Sequence, residues 1–341
     1  MSTRTANLYE NFLNRHTDAD WQQFVQNLLP SIHEVDKTAT QIWFRFYPPA
    51  LARALRQAEE PEKLAAQLLL QGNYYLKDQV DSSHAFLYGH RYWPEVKKAV
   101  IERAASFDEA KTKAVLHAEV REASKRAAAE AKADESLLTG ISAIALMTLQ
   151  QVGMEAFRSS PGAVKVDARA ARKSPEQVLK ERARDDGQGL FGFLKTVDKE
   201  WTVTYDEQDA HGHYKMKNAT DLAYGAALDK SRDWRAIDPR CIEGPIPVEC
   251  RSASCGTCWV GVLGGAEKLS DVARLEGKRV KEFGYIDTDE PKPLIRLACQ
   301  AQVSGAVSIV IPPWNGVFGK YLQRAREAAE GESSDKRKES E

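Results

Sequence analysis

The sequence predicts a multidomain chain of α and α+β class: an all-helical region over residues 1–195, then a smaller region mixing strands and helix. Three observations predict it. Apolar residues recur at helical spacing through roughly the first 185 residues, where few segments read as strands. Beyond Trp201 the texture changes to alternating and β-branched runs. Four of the five cysteines, Cys250, Cys255, Cys258 and Cys299, fall in that second region. With 341 residues the chain is long enough for two domains that each bury a core.

Composition narrows the classes. Charged residues are 28% and hydrophobic residues 43%, close to globular averages, so wholesale disorder is excluded. A net charge of −1 supplies no bulk attraction to nucleic acid or to acidic membranes, and no nucleic-acid partner is expected. Five cysteines are too few and too clustered for a secreted disulfide scaffold. The first residues, Met1-Ser-Thr-Arg-Thr-Ala-Asn, lack the apolar core of a signal peptide, so a cytoplasmic setting is expected.

The helical elements follow in order. Trp21, Phe24, Val25, Leu28, Leu29 and Ile32 lie on one helical stripe, with Asp18 or Asp20 as the expected cap. Leu51 to Gln71 and Pro94 to Ala105 repeat the pattern, the latter opening on a proline that a first turn tolerates. Glu109 to Ala133 is rich in Ala, Glu, Lys and Arg, a strong helix former with a solvated surface. From Leu137 to Met154 there is no charged residue, which touches the lower edge of a membrane span. Thr139, Gly140, Ser142, Thr148, Gln150, Gln151 and Gly153 dilute it, so a buried core helix is expected, with lipid contact as the alternative.

Ser174 to Asp186 reads as a charged helix, broken by the glycines that follow. Gly187-Gln-Gly-Leu-Phe-Gly192 fits G-x-G-x-x-G, but a dinucleotide site needs a strand before it, and here a charged helix precedes it. It reads as a linker. The second region, 196–318, opens with the alternating Trp201-Thr-Val-Thr-Tyr, turns at His211-Gly-His213, and closes with the β-branched Val307-Ser-Ile-Val-Ile. Residues 319–341 are expected as a short helix and a charged tail too polar to pack. Seven scattered histidines lack a two-ligand helical spacing; His84 and His90, flanking an aromatic stretch, are expected to be ordinary hydrogen-bonded residues.

Cys250-Arg-Ser-Ala-Ser-Cys255-Gly-Thr-Cys258 is C-x4-C-x2-C, and Cys299 follows downstream. This is the ligand spacing of a plant-type 2Fe–2S centre. Two irons need two thiolates each, delivered to a compact negative object. A tight loop of small residues can present three sulfurs while its amides point at them and offset the charge. The fourth thiolate then comes from elsewhere in the fold. A zinc site could use the same thiolates, but structural zinc favours two C-x2-4-C knuckles and this chain has one. Cys241 reads as a plain thiol outside the set.

Residues from about 201 to 313 resemble the plant-type 2Fe–2S ferredoxin domain. The resemblance rests on Pro247-Val-Glu-Cys250-Arg-Ser-Ala-Ser-Cys255-Gly-Thr-Cys258 and on Leu297-Ala-Cys299-Gln-Ala-Gln-Val-Ser-Gly-Ala-Val-Ser-Ile-Val-Ile-Pro312. It implies a β-grasp sheet with a helix over Asn218 to Leu228, and a 2Fe–2S cluster on Cys250, Cys255, Cys258 and Cys299. Two departures stand out. The family usually has glycine where Ala253 stands, which costs roughly 1 kcal/mol if that residue needs a positive φ. Residues 196–313 carry a net charge near −3, weak for a family whose simple members are strongly acidic.

These readings point to one-electron transfer, as a carrier or as the electron-entry subunit of a larger redox complex. Partners would be a redox protein donor and acceptor, in a multi-subunit or membrane-bound complex that the helical region docks. Ser252 to Thr257 would face the partner. No nucleophile elbow, phosphate loop or paired carboxylates advertise substrate chemistry, so no enzymatic activity of its own is expected. The alternatives are an iron–sulfur redox sensor, or an enzyme with an additional cofactor in the helical region.

Overall fold

The computed structural model describes residues 8–46, 49–68, 70–72, 74–108, 115–185, 199–283 and 292–315. The Gly187–Gly192 motif, the tail beyond 315 and part of the 109–133 helix lie outside the described residues. In chain order the elements are helices α1 (Leu8–Asn14), α2 (Asp18–Leu28), α3 (Glu34–Phe46), α4 (Pro49–Gln57) and α5 (Pro61–Gln67), then strand β1 (Gln71–Gly72). Helices α6 (Trp93–Ala105), α7 (Leu116–Ala131), α8 (Glu135–Val152), α9 (Met154–Ser159), α10 (Ala168–Ala171) and α11 (Pro175–Glu181) follow. After them come β2 (Glu200–Thr204), β3 (His213–Lys217), α12 (Leu222–Leu228), α13 (Trp234–Ile237), β4 (Trp259–Gly264), α14 (Arg274–Phe283), β5 (Ile295–Leu297), β6 (Val307–Val310) and β7 (Trp314–Asn315).

The chain divides into two compact units. One comprises residues 1–49, 75–181 and 206–212; the other comprises 50–74, 182–205 and 213–341. Residues 206–212 cluster with the first of these units and 50–74 with the second.

The first unit is helical and built around α8, which packs against α1, α3, α6, α7 and α9. Leu138, Ile141, Ile144, Leu146 and Leu149 of α8 are fully buried. A helix without a charged residue beyond its first turn, and buried around most of its surface, must be enclosed, and here neighbouring helices enclose it. Among the described residues no helix is long and apolar enough to cross a membrane. Asp134 caps α8 by accepting the Ser136 amide, and Gly153 ends it at φ +81°. The cap of α2 is Thr17, one residue before the expected Asp18, and Asp20 completes a capping box by accepting the Thr17 amide at 2.7 Å. A threonine before the stripe serves because its hydroxyl reaches the Asp20 amide while the Asp20 carboxylate answers it. The Leu51–Gln71 stretch is two helices, since Pro61 cannot continue a preceding turn but opens a new one.

The second unit holds a five-stranded mixed sheet of order β3-β2-β6-β4-β5. β2 and β6 run parallel; the other pairs are antiparallel. Helix α12 packs against β3, with Gly225 close against Met216. It starts at Leu222 rather than Asn218, because Asp221 accepts the Tyr224 amide and fixes the start. A separate pair, β1 with β7, joins Gln71–Gly72 to Trp314–Asn315.

Candidate metal centre

The sheet positions two of the four thiols. β4 begins directly after Cys258, and β5 ends two residues before Cys299. Trp259 pairs with Leu297, and the Ala298 amide donates to the Cys258 carbonyl at 2.9 Å. The ladder therefore holds Cys258 and Cys299 on adjoining strand ends, both buried.

The loop 250–258 positions the other two. Arg251, Ala253 and Gly256 adopt positive φ values of 50°, 58° and 72°. Such reversals of hand along a short loop turn successive amides inward and make an anion-binding nest. The amides of Ser252, Ser254 and Cys255 all donate to Cys250 Sγ, at 3.4, 3.3 and 3.3 Å. Cys255 Sγ lies 3.1 Å from Thr257 Oγ1. The left-handed φ at Ala253 is the condition under which alanine in place of glycine is costly.

The thiols respond to these donors. Burial opposes ionisation of Cys250, but the donors from Ser252, Ser254 and Cys255 outweigh it and hold the thiol down at about 6. Cys299 is lowered to about 7, chiefly by a hydrogen bond from Cys258. Cys258 is raised well above the ordinary thiol value, because it keeps that shared proton and because it is buried. Cys255 is raised by burial. The geometry thus groups the thiols two and two: Cys255 donates its amide to Cys250 Sγ, and Cys258 and Cys299 stand at the ends of paired strands. The pairs also sense one another's charge, Cys255 on Cys258 and Cys250 on Cys299.

Among the described residues, no group of three or more His, Cys, Asp or Glu stands where it could hold a single metal ion. A centre with two irons takes two thiolates on each, so it needs paired sulfurs rather than four converging on one point. Inward amides that already stabilise a thiolate fit a negatively charged cluster for the same electrostatic reason.

Of the residues expected at the exposed rim, Ser252 to Thr257, Ser252 and Ser254 are exposed and Cys255 is half-buried, whereas Ala253, Gly256 and Thr257 are buried. The left-handed turns fold alternate residues inward, so half of the loop faces the thiols instead of solvent. Arg251 pairs with Glu243. Cys241 is buried, donates to the Pro245 carbonyl at 3.3 Å, and is pushed up by burial to about 12; it keeps its proton. His84 and His90 lie in the helical unit, buried, with their Nδ1 atoms 3.0 Å apart. His211 and His213 are exposed at the β2–β3 turn.

Sequence reasoning misses three residues near the thiols. Gln300 Nε2 lies 3.5 Å from Cys299 Sγ and donates to its carbonyl at 2.8 Å. Glu276 and Arg296 form a fully buried ion pair beside β5. A charged residue inside the apolar run Leu294-Ile-Arg-Leu-Ala is the available signal for Arg296, since a buried arginine demands a carboxylate.

No solved structure matches the chain. Residues 240–304, which span the loop, β4, α14, β5 and all four of these thiols, match the family model of the 2Fe-2S iron-sulfur cluster binding domain, and this part of the chain is such a domain.

Proposed function

We propose that the chain transfers single electrons through one 2Fe–2S cluster held by Cys250, Cys255, Cys258 and Cys299, as a carrier or as the electron-entry subunit of a larger redox complex. The observation that carries this reading is the match of residues 240–304 to a 2Fe-2S domain with all four thiols inside it, three backbone amides donating to Cys250 Sγ. The sheet order and the parallel β2–β6 pair, with α12 following β3, support a β-grasp fold for this region.

Bound there, a plant-type 2Fe–2S cluster supplies reversible one-electron chemistry at a low potential, on the order of −400 mV. The chain's own residues do the rest. The nest amides hold Cys250 ready as a thiolate. Cys258 and Cys299, buried on adjoining strand ends, keep water from one side. Ser252 and Ser254 form the exposed edge that a redox donor or acceptor would meet. The near-neutral charge of the domain favours partners recognised by fit rather than by long-range steering. A cytoplasmic setting, with peripheral membrane association through a partner complex, is part of the same proposal.

Anaerobic purification followed by visible absorption and electron paramagnetic resonance, before and after dithionite, tests it. Iron, sulfide and zinc are assayed alongside. The expected result is a reddish-brown protein with about two irons per chain and a rhombic signal on reduction. A colourless protein that holds zinc or no metal, even from anaerobic cells, would overturn the electron-transfer reading.

A further inference from the structure

We propose that the buried Glu276–Arg296 pair is a positioning device for Cys299, and that it governs how tightly the domain retains its cluster. The inference rests on the reading of Cys299 as a ligand. Glu276 on α14 is 0% exposed and Arg296 on β5 is 1% exposed. Arg296 donates through Nε to Oε1 at 2.8 Å and through Nη2 to Oε2 at 2.9 Å. Its Nη1 donates to the Ser270 carbonyl at 2.8 Å. Glu276 Oε1 also accepts the Leu297 amide at 2.9 Å.

That last bond gives the pair its purpose. β5 is an edge strand, laddered to β4 on one side. Successive amides of a strand point to opposite sides, so those on the outer side lack a strand partner. The Ala298 amide points inward to the Cys258 carbonyl; the Leu297 amide points outward and is taken by Glu276. The carboxylate does there what a sixth strand would do. The backbone leading into Cys299 is thus gripped from both sides, by the segment carrying Cys258 and by α14.

Stability alone gives weak reason for such a pair. Desolvating two charges can cost more than their attraction returns, and apolar residues of similar volume often serve as well. An apolar pair, however, cannot accept the Leu297 amide. Without that bond β5 is free to shift against β4, and Cys299 moves relative to Cys258.

The test uses the full chain, loaded and handled anaerobically. Wild type is compared with Glu276→Met, which removes the acceptor of the Leu297 amide, with the apolar double variant Glu276→Met/Arg296→Met, and with Glu119→Gln. The last breaks a comparable buried pair in the helical unit, where Arg103 donates twice to Glu119 at 2.7 Å. Loss of visible absorption under an iron chelator, the reduced resonance spectrum, the midpoint potential and thermal unfolding are all read. Both Glu276 variants are expected to lose the cluster roughly tenfold or more faster, the cost typical of outer-shell partners. Their resonance spectrum and potential should shift as well. Glu119→Gln should lower the melting temperature with the cluster readouts unchanged. If Glu276→Met fails to fold, the double variant carries the test, since it leaves no unpaired charge. Wild-type cluster retention, spectrum and potential in the folded Glu276 variants would overturn the inference, whatever their melting temperature. A wild-type chain without a cluster would instead overturn the functional reading, whatever the variants do.

Discussion

Ala253 shows how much one residue of the loop decides. It sits at φ 58° and is 1% exposed, and the amides of its neighbours Ser252 and Ser254 donate to Cys250 Sγ, so the loop cannot relax without losing donors at a thiol. Ala253→Gly removes the Cβ penalty, roughly 1 kcal/mol, and returns part of it through a freer unfolded chain. A net gain of about 0.5 kcal/mol is expected in chemical denaturation of the loaded chain, with slower cluster loss. A loss of stability would mean that the buried methyl outweighs the backbone strain. Cys241 supplies the complementary case. Cys241→Ser keeps a donor for the Pro245 carbonyl and should leave iron content at the wild-type level. Serine at Cys250, Cys255, Cys258 or Cys299 should lower iron content and alter the absorption spectrum. Cysteine spacing alone singles out these four residues in the sequence. The three amides on Cys250 are not legible there, because they depend on φ values at residues 251, 253 and 256 that no side-chain pattern encodes.

At the scale of elements, two glycines make opposite predictions. A Cβ on Gly244 would lie 2.0 Å from the Ala226 carbonyl oxygen and 2.5 Å from its carbon. The segment leading toward Cys250 therefore crosses the last turn of α12 backbone against backbone, with no side chain to give way. Gly244→Ala should destabilise the chain by about 1–3 kcal/mol, the usual cost of overpacking, and reduce cluster content. Gly277 lies inside α14, where a Cβ would meet only Val272 Cγ1 at 3.6 Å. Gly277→Ala should therefore stabilise by about 0.5–1 kcal/mol, the ordinary helix-interior difference, with unchanged spectra. Thermal unfolding of the two variants checks both signs. Helices with a sustained apolar stripe, such as α2 and α6, are legible because period 3.6 is a strong signal over several turns. The β1–β7 pair is not, since strands of two residues carry no period at all. The edge-strand role of Glu276 is equally hidden. A glutamate in a charged helix reads as solvated until the strand beside it is known.

At the scale of the molecule, the division into units depends on tertiary pairing more than on sequence texture. Residues 50–74 read as helical and yet cluster with the unit that holds the sheet. A buried histidine pair should give the helical unit a pH dependence of its own. His84 and His90 are 0% and 2% exposed, with Nδ1 atoms 3.0 Å apart, and the His84 ring lies 4.1 Å from Trp93. Burial lowers both; His84 is lowered well below the ordinary imidazole value, and His90 is held at about 4. The His90 Nδ1–H to His84 Nδ1 bond is available while both rings are neutral, with His84 Nε2 donating to the Val80 carbonyl 3.2 Å away. Asp81 favours the charged form of His90 but does not outweigh its burial. Both histidines have folded-state values below the unfolded value of about 6.5, so the unfolded chain binds more protons between about 6.5 and 4. Their contribution to stability is present above pH 6.5 and is lost as the pH falls toward 4. A separation of about 2.5 pH units at about 1.36 kcal/mol each gives about 3 kcal/mol for His90. Chemical denaturation between pH 7 and 4.5, followed by tryptophan fluorescence, should show this loss in the wild type. The slope should be shallower in His84→Gln/His90→Gln, where no proton is taken up at these positions. Comparing the two chains cancels acid effects on the thiols and on carboxylates elsewhere. Parallel slopes would mean that the pair is hydrated and titrates in the folded chain as it does in the unfolded one.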